Sequence, residues 1–180
     1  NPRKLERRVP GQRQRPPGSG AGGGHEVPVH RHSAGTSAVC NMAKGIPFAE
    51  LKVGDKGSLS KTVSECDIYA FAGITGDFNP IHVDAEFAKE TMFKERIAHG
   101  MLGAGFISAV LGTVMPGPTN VYLSQEIVFK APVKIGDTVT ATCELIEKIE
   151  AKKRLIFRTT VTNQNDVLVI DGKAVVYKMD

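Results

Sequence analysis

Only one stretch of this chain is long and apolar enough for an extended helix, and nearly everything after it reads as strand. Between residues 100 and 114, Leu102, Phe106, Ile107, Val110 and Leu111 alternate with Gly103, Ala104, Gly105, Ala109 and Gly112, and Pro116-Gly117-Pro118 closes the run. Side chains this small let strands come close on several sides, so the helix is expected to be buried. Residues 121–130, 138–149, 154–163 and 167–178 are rich in Val, Ile, Thr and Phe and are separated by turn-forming or charged segments. One apolar helix followed by an antiparallel meander predicts an α+β fold whose sheet wraps the helix.

The segment before the long helix adds shorter elements. Residues 56–63 alternate as a strand does. Ser64, with Asp67 three residues on, has the form of an N-cap for a short helix that carries Ile68 and Phe71 and stops at residues 73–76. Residues 77–82 read as a loop, and Asp84 as the cap of a second short helix running to about Met92. No internal repeat is evident.

Residues 1–43 stand apart. They hold seven basic residues against Glu6 and Glu26, a local +5 within a whole-chain charge of +4, which leaves −1 on the rest. The remainder therefore lacks the basic footprint that nucleic-acid binding needs. Five prolines, seven glycines and almost no periodic apolar residues predict that residues 1–43 stay disordered, as a leader ahead of Met42 or a targeting segment, and that the folded domain spans residues 44–180. His25, His30 and His32 are read as solvated. Cys40, Cys66 and Cys143 are far apart and form no CxxC pair, so neither a disulfide framework nor a zinc site is indicated and a reducing compartment is the simpler reading. The longest apolar run, residues 101–115, is interrupted by Gly103, Gly105, Ser108, Gly112 and Thr113, and no membrane span is expected.

The segment with chemical content is Gly73-Ile74-Thr75-Gly76-Asp77-Phe78-Asn79-Pro80-Ile81-His82. Pro80 fixes its own φ and biases Asn79 away from the helical region, which predicts a rigid loop holding one carboxylate and one imidazole. Taken alone, Asp-x-Asn-Pro is more often an Asx turn than a catalytic loop. His82 alone could be an ordinary hydrogen-bonded histidine, and His99 is read as one. Set together on a loop, Asp77 and His82 suit the activation of a shared water, because histidine titrates near neutrality and a partly desolvated carboxylate can be tuned upwards. Ala98-His99-Gly100 falls at the predicted start of the long helix, where unpaired N–H groups and the helix dipole favour a developing negative charge.

The string from Thr75 to Asp84, followed by Phe93, Ile97 and Ala98-His99-Gly100-Met101-Leu102, resembles the signature of MaoC-like dehydratases and (R)-specific enoyl-CoA hydratases over approximately residues 48–178. The resemblance implies a hot-dog fold, usually a homodimer whose sheets join edge to edge, with an acyl tunnel beside the long helix. It implies that Asp77 and His82 are catalytic, that Asn79 supports their loop, and that the Gly100 N–H binds the thioester oxygen. No metal or redox cofactor is implied. The substrate would be an acyl-CoA, hydrated reversibly from the trans-2-enoyl to the (R)-3-hydroxyacyl thioester. The alternative is the same chemistry on an acyl carrier protein, as a 3-hydroxyacyl dehydratase of type 2 fatty-acid synthesis. A hot-dog thioesterase and a catalytically silent acyl-binding module are disfavoured by the intact Asp-x-Asn-Pro-x-His string. A cytoplasmic location is expected, or a mitochondrial one if residues 1–43 are a transit segment. Lys94, Arg96 and Lys130 are candidates for gripping the CoA phosphates, although each also reads as a solvated surface charge.

Overall fold

Along the segment Thr138–Ile149, Val139, Ala141, Cys143 and Leu145 are buried and the residues between them are less so, a period of two that marks a strand with one face on the core. In the computed structural model, which describes residues 45–180, this is β3 of a five-stranded sheet. The others are β1 (Lys56–Thr62), β2 (Asn120–Phe129), β4 (Arg154–Asn163) and β5 (Leu168–Lys178). The expectations for residues 1–43 lie outside the described residues. Every pairing is antiparallel, in the order β1-β3-β4-β5-β2.

The helices are α1 (Glu65–Thr75), α2 (Pro80–Val83), α3 (Ala85–Glu90) and α4 (Gly100–Thr113). The helix α4 lies against β3, β1, β2 and β4, as a hot-dog fold requires. Ile107, Val110 and Leu111 enter the core with Leu145, Phe157, Ile170 and Val176. Each such side chain, fully withdrawn from water, contributes about 1.5–3 kcal/mol. Gly103 lets the helix axis approach β5, since a Cβ there would stand 2.8 Å from Cδ1 of Ile170.

Three expectations need correction. The four strands after α4 are not one consecutive meander: β3, β4 and β5 are, but β2 lies beyond β5 at the far edge. Instead of a tight hairpin after β2, residues 130–137 run back past the start of α4, where the Ala98 N–H donates to the carbonyl of Val133 at 2.8 Å and Ile97 bridges to Lys134. The helix α4 is buried on one side only, with Met101, Gly105, Ser108 and Gly112 exposed. The segment read as a loop at residues 77–82 also contains a helical turn, α2, because Pro80 is pre-set for a first helical position and Asn79 caps it.

Candidate active site

The carboxylate and the imidazole reach their places through a chain of local hydrogen bonds. Ser64 and Asp67 form a reciprocal capping box, the Asp67 N–H donating to Ser64 Oγ at 3.2 Å and the Ser64 N–H to Asp67 Oδ2 at 2.8 Å. The helix α1 ends at Gly76, whose φ of 79° lies in the left-handed region that glycine occupies without strain. This turns the chain sharply into Asp77. The Asn79 N–H then donates to Asp77 Oδ1 at 3.3 Å, and the Ile81 N–H donates to Asn79 Oδ1 at 3.3 Å. These two successive Asx turns rigidify the loop.

His82 follows on α2, with only 9% of its surface exposed. Its Nδ1–H donates to the carbonyl of Ile97 at 2.8 Å, which leaves Nε2 with a free lone pair. Burial pushes its pKa below the ordinary 6.5, reinforced by neighbouring His99 and opposed by the bond to Ile97 and the nearby Asp77 carboxylate. The imidazole is therefore held in the neutral form that can accept a proton near neutral pH.

His99, read from sequence as an ordinary hydrogen-bonded histidine, joins the site. Its Nε2–H donates to the main-chain carbonyl of Asp77 at 2.9 Å, and its ring stacks on His82 with centroids 3.9 Å apart. Ligand-type atoms of Asp77, His82 and His99 lie within 4.8 Å of one another. The planes of the two rings are inclined at 33°. One nitrogen of each ring is committed to a carbonyl, which leaves one nitrogen of each free. Nothing in the spacing of the sequence pairs residue 99 with residue 77. Its place in the string Ala98-His99-Gly100-Met101-Leu102 was the signal that could have marked it.

His82, His99 and Gly100 line a cavity of about 460 Å³. Its walls run from the exposed Met92, Met101 and Phe129 to the buried Val139, Val161 and Ile170, a largely apolar path suited to an acyl chain. Gly100 is the first residue of α4, where N–H groups have no intrahelical acceptor. Of the expected phosphate-binding cations, Arg96 is already engaged, paired with Glu65 and donating to Tyr69 Oη at 3.0 Å. Lys130 lines the cavity and Lys94 is exposed nearby in sequence to Met92 and Phe93.

Residues 51–167 match the family described as MaoC like domain. The chain belongs to the MaoC-like family. Among the relatives of this MaoC-like chain, an (R)-specific enoyl-CoA hydratase of Rhodospirillum rubrum is 56% identical over 129 residues, covering 72% of this chain and 89% of its own. A mitochondrial 3-hydroxyacyl-[acyl-carrier-protein] dehydratase of Arabidopsis thaliana is 36% identical, covering 69% of this chain and 75% of its own. The unliganded R-hydratase of Pseudomonas aeruginosa has the same fold at a TM-score of 0.72 and 45% identity, covering 76% of this chain and 87% of its own. Among the described residues of this MaoC-like chain, no helix is long and apolar enough to cross a membrane.

Proposed function

We propose that this protein is a hydro-lyase that adds water reversibly across the double bond of a trans-2-enoyl-CoA to give the (R)-3-hydroxyacyl-CoA. The observation that carries the reading is the free Nε2 of His82, a residue that lines the cavity together with Gly100 at the N-terminus of α4 and has a ring nitrogen within 4.8 Å of the Asp77 carboxylate. A water shared by Asp77 and His82 loses a proton to the pair as its oxygen attacks the β-carbon. The negative charge that develops on the thioester oxygen is met by the Gly100 N–H, and the α-carbon then takes a proton from the pair. The reaction draws on no metal or redox cofactor, since both proton transfers and the charge stabilisation are supplied by these groups.

Identity to the enoyl-CoA hydratase of R. rubrum exceeds that to the acyl-carrier-protein dehydratase of A. thaliana, which favours CoA as the carrier. Comparing rates on crotonyl-CoA, a longer enoyl-CoA and the matching acyl-carrier-protein substrate tests carrier and direction together. Failure to hydrate any of them, or an (S)-product, overturns the reading. Preference for the carrier-protein substrate replaces it with the dehydratase of type 2 fatty-acid synthesis.

The active form is a homodimer joined along β2. Of the two sheet edges, β1 exposes only polar side chains, whereas β2 exposes Val121, Leu123, Val128 and Phe129. An unpaired apolar edge invites pairing with a second copy. Leu123→Lys should shift the light-scattering mass towards the monomer. Among the described residues the buried thiol of Cys143, its pKa raised to about 12 by desolvation, and the exposed Cys66 form no disulfide, which is compatible with the reducing, cytoplasmic setting we propose.

A further inference from the structure

His99 carries a feature that a purely structural residue would not need. Its Nδ1 is buried without a hydrogen-bond partner, alone in this among the side-chain atoms of the described residues. A buried orphan of this kind is costly, and a leucine or phenylalanine at the same place would avoid it. The other nitrogen makes a contact that neither of those side chains could make. A carbonyl oxygen can only accept, so the 2.9 Å contact with the main-chain oxygen of Asp77 fixes His99 in the Nε2–H tautomer. That bond spans 22 residues. It joins the loop that presents Asp77 to the residue immediately before Gly100, the first residue of α4.

The ring has a second contact. One face of His99 lies on His82, with Phe71 of α1 beside it at 4.8 Å between centroids. His82 is thereby shut off from water on the side of α4 while its Nδ1–H is held by Ile97. The titratable and charged groups facing His82 are Asp77 from the loop and His99 from the start of α4, with Lys130 on the cavity wall. Phe71 brings no charge, and Arg96 is turned to Glu65 and Tyr69.

We propose that His99 is a positioning residue: its Nε2–H locks the water-activating loop to the oxyanion-binding end of α4, and its ring shields His82 from water. The proposal rests on the hydratase reading above. Both functions act through other residues, so their loss should appear in kcat and in the pH profile more than in KM.

Three variants and one spectroscopic measurement on the unaltered protein test it. His99→Leu keeps an apolar cover over His82 but has no donor, and kcat on crotonyl-CoA should fall about 10-fold to 100-fold with KM little changed, the size expected for one misplaced positioning contact. His99→Gln keeps both cover and an N–H donor and should recover most of that loss. His99→Ala opens the ring face of His82 to water and should move the acid limb of the kcat/KM profile to higher pH, because desolvation is the largest cause holding that pKa down and His99 itself adds to it. In ¹⁵N-histidine spectra of the full-length protein near neutral pH, two of the five histidines should show opposite tautomers, Nδ1–H for His82 and Nε2–H for His99. A folded His99→Leu enzyme at the unaltered rate, equal losses in the Leu and Gln variants, an unmoved acid limb in His99→Ala, or an Nδ1–H tautomer at His99 would each overturn the proposal. If the unaltered protein hydrates no enoyl thioester, the reaction assignment fails instead, and the tautomer measurement still decides whether the lock exists.

Discussion

The ring of Phe129, at the end of β2, lies over Gly100 so closely that a Cβ on residue 100 would stand 2.6 Å from its Cε1. An alanine at 100 is therefore not a neutral replacement, even though it keeps the N–H. Phe129 is 51% exposed and can swing away, at the expense of its cover over the cavity. Proline adds the same bulk and also removes the N–H, and it is accepted at the first position of a helix provided φ is negative. Gly100 is not among the glycines with positive φ.

Gly100→Pro should accordingly leave the fold intact and lower turnover by about 10²-fold to 10³-fold, the loss typical of one oxyanion donor. Phe129→Ala separates the two effects. Combined with Gly100→Ala it should relieve the crowding and restore turnover to that of Phe129→Ala alone, whereas combined with Gly100→Pro it should restore only the part of the loss due to bulk and leave the larger part due to the missing N–H. Equal recovery of both double variants would mean that bulk, and not the N–H, was responsible.

Asp77→Asn and His82→Gln should each lower turnover by about two to four orders of magnitude, the range for a positioned acid or base. Since both act on one water, the double variant should be hardly worse than either single one. Multiplying losses in steady-state kinetics would contradict the shared water. Thermal melting distinguishes the two positions: Asp77 is exposed and its replacement should hardly move Tm, while His82 is buried on the Ile97 carbonyl and its replacement should lower it measurably.

The acid limb of kcat/KM should lie below pH 6.5, because burial lowers the pKa of His82 and the reaction needs its neutral Nε2. The same shift couples to stability. The folded state disfavours the protonated ring, so the unfolded chain binds the extra proton first. The stability from His82 is complete above pH 6.5 and is lost as pH falls below that value towards the lower folded pKa. Denaturant midpoints across this range should decline on acidification more steeply for the unaltered protein than for His82→Gln. Parallel curves would exclude the linkage.

Lys178 is fully buried at the end of β5, its Nζ donating to the carbonyl of Pro118 at 3.1 Å and to Thr119 Oγ1, and pairing with Asp180. Lys178→Met leaves the Pro118 carbonyl and the Thr119 hydroxyl unpaired and should reduce the free energy of unfolding by about 1–3 kcal/mol. None of Lys178, Pro118, Thr119 and Asp180 lines the cavity, so turnover at low temperature should stay normal. Urea titration combined with an activity assay checks both halves of this expectation.

What the sequence determined by itself was local. Ser64 and Asp67 cap α1 because their spacing fits one turn, Asn79-Pro80 tightens the loop between Asp77 and His82, and α4 runs where small and apolar residues alternate ahead of Pro116. Alternation at residues 56–63, and Val, Ile, Thr and Phe content between turn-forming segments for the other four, located all five strands to within a residue or so at each end, and the motif pointed to Asp77, His82, Asn79 and Gly100. Only the tertiary structure decided the rest. A strand's alternation specifies which face is buried but not which strand lies beside it, so the place of β2 beyond β5 had no local signal. The bond from His99 to Asp77, the ring of Phe129 over Gly100 and the engagement of Arg96 by Glu65 and Tyr69 are likewise contacts between residues more than twenty positions apart. Such contacts arise only when the sheet folds round α4 and brings those segments together, and so they leave no mark on the spacing of either partner.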